Sequence, residues 1–327
     1  MDLEARIDSV KTDFQSIRQE LRKKIVGNDD IIDGILTCLL CSGHALLEGP
    51  PGLGKTLIIK SIGEALHLDF SRIQFTPDLM PADIIGTRMV VEDDAGKRYF
   101  EFQQGPVFAN IVLADEINRA TPKTQSALLE AMQEARVTVG REEFILPDPF
   151  LVLATQNPIE MEGTYPLPEA QLDRFLFKLV MDYPSRDELS LIIDKTTEAE
   201  EEQIQAVMDN ARVKDLQALV RQIPIARAVK DYALRLVMGT HPGNEESVEQ
   251  TRKFVRYGSS PRGLQSIILG AKTRALLGGR LNVSFEDIRA LAPACLRHRI
   301  ILNFEGEAEG HTTEDIVRFL LDSIQPE

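Results

Sequence analysis

The stretch Gly49-Pro-Pro-Gly-Leu-Gly-Lys-Thr56 is the most informative part of the sequence, because its spacing, G-x-x-x-x-G-K-[ST], is that of a phosphate-binding loop. Glycines allow the backbone to turn tightly, so that successive N–H groups point inward at phosphate oxygens. Lys55 supplies a compact positive charge for the β- and γ-phosphates, and the Thr56 hydroxyl can ligate Mg²⁺. The residues expected to hold the nucleotide are Gly49, Pro50, Pro51, Gly52, Leu53, Gly54, Lys55, Thr56 and Leu57.

The flanks of this loop support the same interpretation. Residues 44–48 are apolar enough to predict a short buried strand, and residues 57–66 have the periodicity of an amphipathic helix. A helix that begins at the loop directs the positive end of its dipole at the bound anion. The fold class expected is α/β, with a parallel sheet.

A second motif, Asn110-Ile-Val-Leu-Ala-Asp-Glu116, places two carboxylates after an apolar strand. Ligands of parallel α/β sheets bind at the carboxyl ends of the strands, which is where Asp115 and Glu116 are expected. Asp115 can hold Mg²⁺, directly or through water, and Glu116 can orient and deprotonate the attacking water. Two acids after a strand are common, and the phosphate loop upstream is what favours this interpretation.

Residues 150–155 predict a further buried strand, which is followed by Gln156, Asn157 and Pro158. A polar amide at the end of a strand beside the γ-phosphate can position the lytic water, and Asn157 is the candidate. The alternative is that Asn157 forms a turn before the proline.

Two stretches of alternating polarity predict β-hairpins inserted into the nucleotide-binding unit. The first spans residues 87–102 with its turn at residues 92–97, and the second spans residues 137–146 with Gly140 at its tip. Insertions of this kind often carry the specific function of a protein, so both hairpins are candidate contact surfaces.

The pattern beyond residue 183 is helical only, which predicts two domains. We expect a nucleotide-binding α/β domain with an N-terminal helix over 1–183, a linker or helical connection over 184–213 and a smaller all-α lid domain over 214–327. The acidic segment 198–202 is expected to be a solvated helix or linker.

The composition is that of a globular protein with more acidic than basic residues. The 327 residues carry a net charge of −14, which argues against broad, sequence-independent nucleic-acid binding. There is no signal-peptide pattern, and no apolar run approaches the roughly 18 residues that a membrane span needs. We therefore expect a cytoplasmic protein with no membrane span, and three cysteines that cannot all pair suit a reducing compartment.

Cys38 and Cys41 form a C-x-x-C pattern, which could indicate redox or metal chemistry. They lie within the apolar run 35–41, and no second pair completes a zinc site. Buried helix packing is therefore the expected role.

Five motifs follow one another in family order: GPPGLGKT (49–56), LADEINRA (113–120), ATQNP (154–158), EAQLDRF (169–175) and SSPRGL (259–264). Together they resemble the AAA+ ATPases and, within them, the MoxR family, and the resemblance covers nearly the whole chain. The two hairpins are similar to the helix-2 insert and the pre-sensor-1 hairpin of this branch. The resemblance implies a P-loop AAA+ parallel-sheet domain and a helical lid, with ATP and Mg²⁺ as cofactors.

The resemblance also implies roles for individual residues. Asn157 corresponds to sensor 1, Arg174 to an arginine finger that acts on a neighbouring subunit, and Arg262 to sensor 2, which links the nucleotide state to lid closure. Val26 and Gly27 form a turn that is well placed to contact the adenine, although this IVGND turn has asparagine where the family more often has glutamine. The alternative for both arginines is a surface ion pair.

The function expected is Mg-dependent ATP hydrolysis in a homo-oligomeric ring, for which a hexamer is the family's usual form. The resemblance implies chaperone-like remodelling or maturation of partner proteins, often with von Willebrand factor A (VWA) domains, including the insertion of metals or cofactors. One alternative is a motor or transcription-related protein that acts on nucleic acid, but hairpins that carry both acidic and basic residues are poorly suited to bind a phosphate backbone. The other is a nucleotide-binding scaffold without hydrolysis, which the intact Asp115, Glu116, Asn157 and Arg174 argue against.

Overall fold

The computed structural model describes residues 3–94, 96–157, 163–197 and 202–326. The strands are β1 (Ala45–Glu48), β2 (Phe70–Gln74), β3 (Gly86–Glu92), β4 (Arg98–Gln104), β5 (Ile111–Asp115), β6 (Arg136–Val139), β7 (Glu142–Ile145), β8 (Leu151–Gln156), β9 (Phe177–Val180), β10 (Val255–Tyr257) and β11 (Ile301–Leu302). The helices are α1 (Leu3–Leu21), α2 (Asp29–Leu40), α3 (Lys55–Ala65), α4 (Pro81–Ile85), α5 (Pro122–Glu134), α6 (Glu169–Leu172), α7 (Arg186–Thr197), α8 (Asn210–Gln222), α9 (Arg227–Gly239), α10 (Glu249–Phe254), α11 (Pro261–Leu277), α12 (Phe285–Leu296), α13 (Phe304–Ala308) and α14 (Thr313–Ser323). Among these described helices, none combines the length and the apolar character needed to cross a membrane.

Five strands form one parallel sheet in the order β2-β5-β8-β1-β9. The three central strands are almost entirely buried apolar runs, as is usual for parallel strands that are covered on both faces. In the register of the sheet, Leu46 of β1 lies opposite Ala154 of β8. This parallel order brings the carboxyl ends of β1, β5 and β8 to one edge, where the phosphate loop, Asp115 and Asn157 lie.

Alternation along the strands divides the core between the two faces of the sheet. Leu47 faces the side that is covered by α1, α2, α3 and the C-terminal helices, whereas Leu46 faces the side covered by α4 and α5. The C-terminal helices pack closely on the sheet, since a Cβ atom on Gly270 of α11 would lie 2.9 Å from the ring of Phe177 in β9. The lid is therefore packed directly against the last strand of the nucleotide-binding domain.

Both predicted hairpins are confirmed, with bounds within two residues of the sequence pattern. β3 pairs with β4, and β6 pairs with β7, both in antiparallel register. The rings of Phe102 and Phe144 stack with their centroids 4.0 Å apart, and Arg88 forms an ion pair of 2.6 Å with Glu142. The two insertions therefore pack against each other and form one continuous surface.

Beyond residue 183 the described part of the chain is helical, as predicted, apart from a short antiparallel ladder between β10 and β11. Ser284 and Thr312 precede α12 and α14 in capping boxes, which fix where these helices start. α8 begins at Asn210, slightly before the predicted start of the lid, and the domain boundaries stay predictions. Residues 198–201 of the acidic segment lie outside the described residues.

The cysteines are packing residues. Cys38, Cys41 and Cys295 are free and buried, and the Sγ atom of Cys41 lies 3.2 Å from Oγ1 of Thr273. Burial raises the pKa of Cys41 to about 12, which keeps the thiol protonated, although redox and metal chemistry need the thiolate. The predicted role in buried helix packing is confirmed.

Candidate active site

The phosphate loop turns between β1 and α3 through two glycines in the left-handed region. Gly52 has a φ of 81° and Gly54 a φ of 78°, and a Cβ atom on either would have no neighbour within 4 Å. Glycine is therefore required here by backbone conformation and not by crowding. α3 begins at Lys55, and a glycine at the N-cap offers no side-chain oxygen to the first N–H groups of the helix. These N–H groups and the positive end of the helix dipole suit an anion.

A cavity of about 280 Å³ lies beside the loop and collects most of the predicted site. It is lined by Pro51, Gly52, Leu53, Gly54, Lys55, Thr56, Arg72, Gln74, Asp115, Glu116, Thr155 and Asn157. Gly49, Pro50 and Leu57 lie outside this lining. Gly49 is instead required by packing, because a Cβ atom there would lie 2.9 Å from the carbonyl oxygen of Met181. Leu57 is 43% exposed on α3.

Lys55 is half-buried in the cavity, and its Nζ donates to the carbonyl oxygen of Gly49 at 2.5 Å. Burial lowers the pKa of Lys55, and the nearby carboxylates of Asp115, Glu116 and Glu48 oppose that shift. A phosphate held by the loop would offer Nζ charge-assisted hydrogen bonds, which are stronger than a bond to a neutral carbonyl. The position of Lys55 therefore suits the phosphate-binding role predicted for it.

Asp115 is held from two sides. Oγ1 of Thr155 donates to Oδ1 at 2.6 Å, and Arg72 donates to Oδ2 from Nη2 at 2.5 Å and from Nε at 3.1 Å. Sequence reasoning assigned no role to Arg72, Gln74 or Thr155, although Thr155 lies within the motif ATQNP. Arg72 and Gln74 are near the end of β2, but only the order of the sheet shows that β2 lies beside β5.

Glu116 follows β5 with a left-handed backbone, at φ 57° and ψ 51°. A non-glycine residue in this conformation costs about 1–2 kcal/mol, so its contacts must hold it in place. The Glu116 N–H donates to Oγ1 of Thr155 at 2.8 Å. Its Oε2 accepts hydrogen bonds from Gln74 and Arg119, both at 3.0 Å. Glu116 thus lines the cavity, and this position suits the general-base role predicted for it.

Asn157 follows β8 and lines the same cavity, with 6% of its surface exposed. Pro158 of this motif lies outside the described residues. A buried carboxamide beside the carboxyl ends of β5 and β8 supports a water-positioning role over simple turn formation. That role stays a prediction.

Arg174 and Arg262 do not line the phosphate-loop cavity. Both line a second cavity of about 300 Å³, together with Arg221. Nη1 of Arg174 donates to the carbonyl oxygen of Leu129 at 2.9 Å. Nη1 of Arg262 lies 3.5 Å from Oδ2 of Asp173, and 48% of the Arg262 side chain is exposed. The structure therefore brings the two arginines together, away from the phosphate loop of their own chain.

Val26 and Gly27, the predicted adenine contacts, lie between α1 and α2 and outside the lining of the phosphate-loop cavity. Gly27 has a φ of 65°, and a Cβ atom there would lie 2.2 Å from Oε1 of Glu188 in α7. Glycine is therefore favoured at this turn by its left-handed conformation, whereas the Glu188 side chain could move aside. Contact with adenine at this turn stays a proposal.

The groups around the cavity fit a nucleotide with a hard metal ion. Thr56 and Asp115 contribute a hydroxyl and a carboxylate, which are oxygen donors of the kind Mg²⁺ prefers. In nucleotide sites Mg²⁺ usually takes one or two protein ligands and completes its shell with water and phosphate. The described residues contain no cluster of three or more His, Cys, Asp or Glu side chains that could hold a metal ion.

Known proteins share this combination of site and lid. Residues 44–177 match the profile of the ATPase family associated with various cellular activities (AAA), and residues 249–319 match that of the AAA lid domain. The chain is 43% identical over 307 residues to Chaperone MoxR1 of Mycobacterium tuberculosis, which covers 93% of this chain and 80% of that protein. It is also 43% identical over 310 residues to the uncharacterized protein YeaC of Bacillus subtilis, with 94% and 92% covered.

The solved structures agree with the sequence relatives. The crystal structure of an ATPase candidate from Cytophaga hutchinsonii has a TM-score of 0.92 and 39% sequence identity, and the match covers 99% of this chain and 98% of that one. The similarity therefore extends over nearly the whole fold, including the ATPase region at residues 44–177 and the lid region at residues 249–319. On this evidence the chain is an ATPase that belongs to the MoxR family of AAA proteins.

Proposed function

We propose that this ATPase hydrolyses ATP with Mg²⁺ as a homo-oligomeric ring, in which neighbouring subunits share each active site. The observation that carries the proposal is the position of Arg174 and Arg262, which line one common cavity outside the phosphate-loop cavity of their own chain. An arginine that reaches the γ-phosphate can accelerate hydrolysis by about 10³–10⁵-fold. When a neighbour supplies it, hydrolysis depends on assembly. A hexamer is the form we expect.

Within one subunit, the loop N–H groups and Lys55 would bind the phosphates, and Thr56 and Asp115 would hold Mg²⁺. Bound Mg²⁺ supplies neutralisation of the charge that develops on the phosphate oxygens. Glu116 accepts a proton from the attacking water, and Asn157 orients that water through its carboxamide. Val26 and Gly27 contact the adenine at the opposite end of the nucleotide.

The chain shares a chaperone-like role with its MoxR relatives, and we propose that the work is remodelling or maturation of a partner protein. The surface that supports this is the first hairpin, where Val90 and Phe100 lie opposite each other and are 59% and 70% exposed. Exposed apolar side chains on an inserted hairpin suit contact with a partner. Proteins with VWA domains, and enzymes that receive a metal or cofactor, are the clients we propose.

The charges of the hairpins disfavour a nucleic-acid motor. Phosphate tracking needs basic side chains that are free to contact phosphates, whereas three of the hairpin arginines bond to acidic neighbours. The pairs are Arg88–Glu142 at 2.6 Å, Arg98–Glu92 at 3.0 Å and Arg136–Glu143 at 2.9 Å. Binding to DNA at low salt would favour this alternative.

A cytoplasmic location remains part of the proposal. Its support is the free and buried state of all three cysteines, because disulfides are typical of oxidising compartments. Measuring the protein in cell fractions tests it.

Mixing two inactive variants tests the shared active site. Lys55→Ala keeps a functional finger but cannot hold ATP, whereas Arg174→Ala holds ATP but has no finger to lend. Each should be nearly inactive alone. In a mixed ring, some interfaces join an intact pocket to an intact finger, so phosphate release should partly recover. The recovery should disappear on dilution below the assembly concentration, because mass action controls the ring.

Two results would contradict this scheme. If a tag pull-down shows mixed assemblies but no activity returns, Arg174 does not act across a subunit interface. Glu116→Gln should bind ATP with Mg²⁺ and hydrolyse it far more slowly than the wild type. If Glu116→Gln and Lys55→Ala lose ATP binding equally, Glu116 is not the base.

A further inference from the structure

Arg299 is a buried charge of the lid, since only 2% of its side chain is exposed. It follows α12 and uses all five N–H groups of its guanidinium. The acceptors are Asp173 Oδ1 (2.8 Å from Nε), Asp173 O (3.1 Å from Nη2), Phe175 O (2.6 Å from Nη2), Leu176 O (3.2 Å from Nη1) and Cys295 O (2.5 Å from Nη1). Only the last of these acceptors belongs to the lid.

The other four acceptors belong to one turn, residues 173–176, which contains Arg174. Two more lid residues bond to the same turn. His298 donates from Nε2 to Phe175 O at 3.1 Å, and Ser260, the N-cap of α11, donates from Oγ to Asp173 Oδ1 at 2.7 Å. The lid therefore holds the chain on both sides of Arg174.

Packing alone does not account for a buried arginine here. Removing a guanidinium from water is costly, and an apolar side chain of similar volume would fill the space without that cost. In contrast, a planar guanidinium whose N–H groups are all hydrogen-bonded fixes the direction of each group that it contacts. Four bonds of Arg299 thus define how the turn 173–176 is oriented relative to the lid.

We propose that Arg299 is a positioning residue, which sets the direction in which Arg174 is presented to the ATP of the neighbouring subunit. The inference rests on the proposed sharing of the active site. Asp173, which Arg299 holds, also lies 3.5 Å from Nη1 of Arg262, so the same contact orients both arginines. A movement of the lid then moves the finger, which gives one subunit's nucleotide state a route to hydrolysis in the next.

The test places Arg299→Met in one partner of the mixed ring at a time. In the finger donor, Lys55→Ala/Arg299→Met, the change should lower the activity recovered with Arg174→Ala by about 10–100-fold, because small displacements of a catalytic group cost about this much. In the acceptor, Arg174→Ala/Arg299→Met, the recovery with Lys55→Ala should stay within about twofold of the parental mixture. A purely structural role for Arg299 predicts equal losses in the two arrangements.

Arg297→Met is the matched control. Arg297 lies two residues before Arg299 and is also largely buried. It pairs with Glu314 at 2.7 Å and donates to the carbonyl oxygen of Lys178 at 3.2 Å. These contacts do not involve the turn 173–176, so a donor with Arg297→Met should still rescue. An equal loss with Arg297→Met and Arg299→Met donors would overturn the inference.

The remaining outcomes separate this inference from the proposed function. If the parental mixture does not recover activity, the shared site fails, and the role of Arg299 fails with it. If the parental mixture recovers and the Arg299→Met donor rescues fully, only the role of Arg299 is overturned. Should Arg299→Met fail to enter rings, the isosteric Asp173→Asn replaces it, with a several-fold donor-specific loss expected and equal or absent losses refuting the proposal.

Discussion

Replacing Thr155 by valine should separate the two acidic residues from the group that aligns them. The Thr155 hydroxyl donates to Asp115 Oδ1 at 2.6 Å and accepts from the Glu116 N–H at 2.8 Å, on a residue that is 1% exposed. Valine keeps the shape but leaves both groups without this partner. A hydrogen bond to a charged group contributes about 1.5–3 kcal/mol and a neutral one about 0.5–1.5 kcal/mol. Because Arg72 still holds Asp115, we expect the free energy of unfolding to fall by about 2–3 kcal/mol.

The same variant should hydrolyse ATP more slowly. The Thr155 hydroxyl holds the strained backbone of Glu116, and a displacement of about 1 Å at a catalytic group can cost about 10²-fold in rate. We expect kcat to fall by about 10–100-fold, while ATP affinity stays close to that of the wild type, because the phosphate loop is unchanged. Denaturant titration, nucleotide binding and phosphate release on one preparation measure the three quantities.

Thr155→Ser is the matched control, because it keeps the hydroxyl and removes only a methyl group. We expect it to lose about 1 kcal/mol of stability and to retain most of its activity. If the serine and valine variants lose equal activity, or if the valine variant hydrolyses ATP like the wild type, the hydroxyl does not align the site.

Three further predictions test the loop, the hairpin and the buried histidine. Gly52→Ala forces a side chain into the left-handed region, which costs about 1–2 kcal/mol, and we expect ATP to bind roughly tenfold more weakly. Gly243→Ala is the control: Gly243 has an ordinary φ and open space around it, so this variant should bind ATP normally. Phe100→Ser should spare basal hydrolysis and remove stimulation by a client; loss of basal activity would make the hairpin a structural part. Burial lowers the pKa of His44 to about 4, and its ring bonds to Val152 N and Met132 O. Between about pH 6.5 and pH 4, therefore, only the unfolded chain takes up this proton. The free energy of unfolding should decrease as the pH is lowered through that window, and at pH 5 it should be about 2 kcal/mol smaller than above pH 6.5. Denaturant titrations at pH 7.5 and 5 should show a smaller fall for His44→Asn; an equal fall would contradict the role of His44.

Much of the fold could be predicted because its signals are local. The phosphate loop depends on glycines at fixed spacing, and Gly52 and Gly54 do adopt the left-handed conformation that this spacing requires. Asp115 and Glu116 follow an apolar run, and parallel strands place their carboxyl ends at one edge whatever their order. The roles of Arg174 and Arg262 came from family resemblance, since nothing in their local sequence distinguishes them from surface arginines.

Tertiary structure alone decided which side chains meet across the sheet and across the two domains. Arg72 reaches Asp115 because β2 pairs with β5, and Arg299 reaches Asp173 across 126 residues because the lid packs on β9. Sheet order and lid placement arise from burial summed over many weak contacts between distant segments, which leaves no local pattern to read. The motifs therefore predicted an ATPase. The hydrogen bonds of Thr155 to Asp115 and Glu116, and the bonds from the lid to the turn that contains Arg174, were visible only in the tertiary structure.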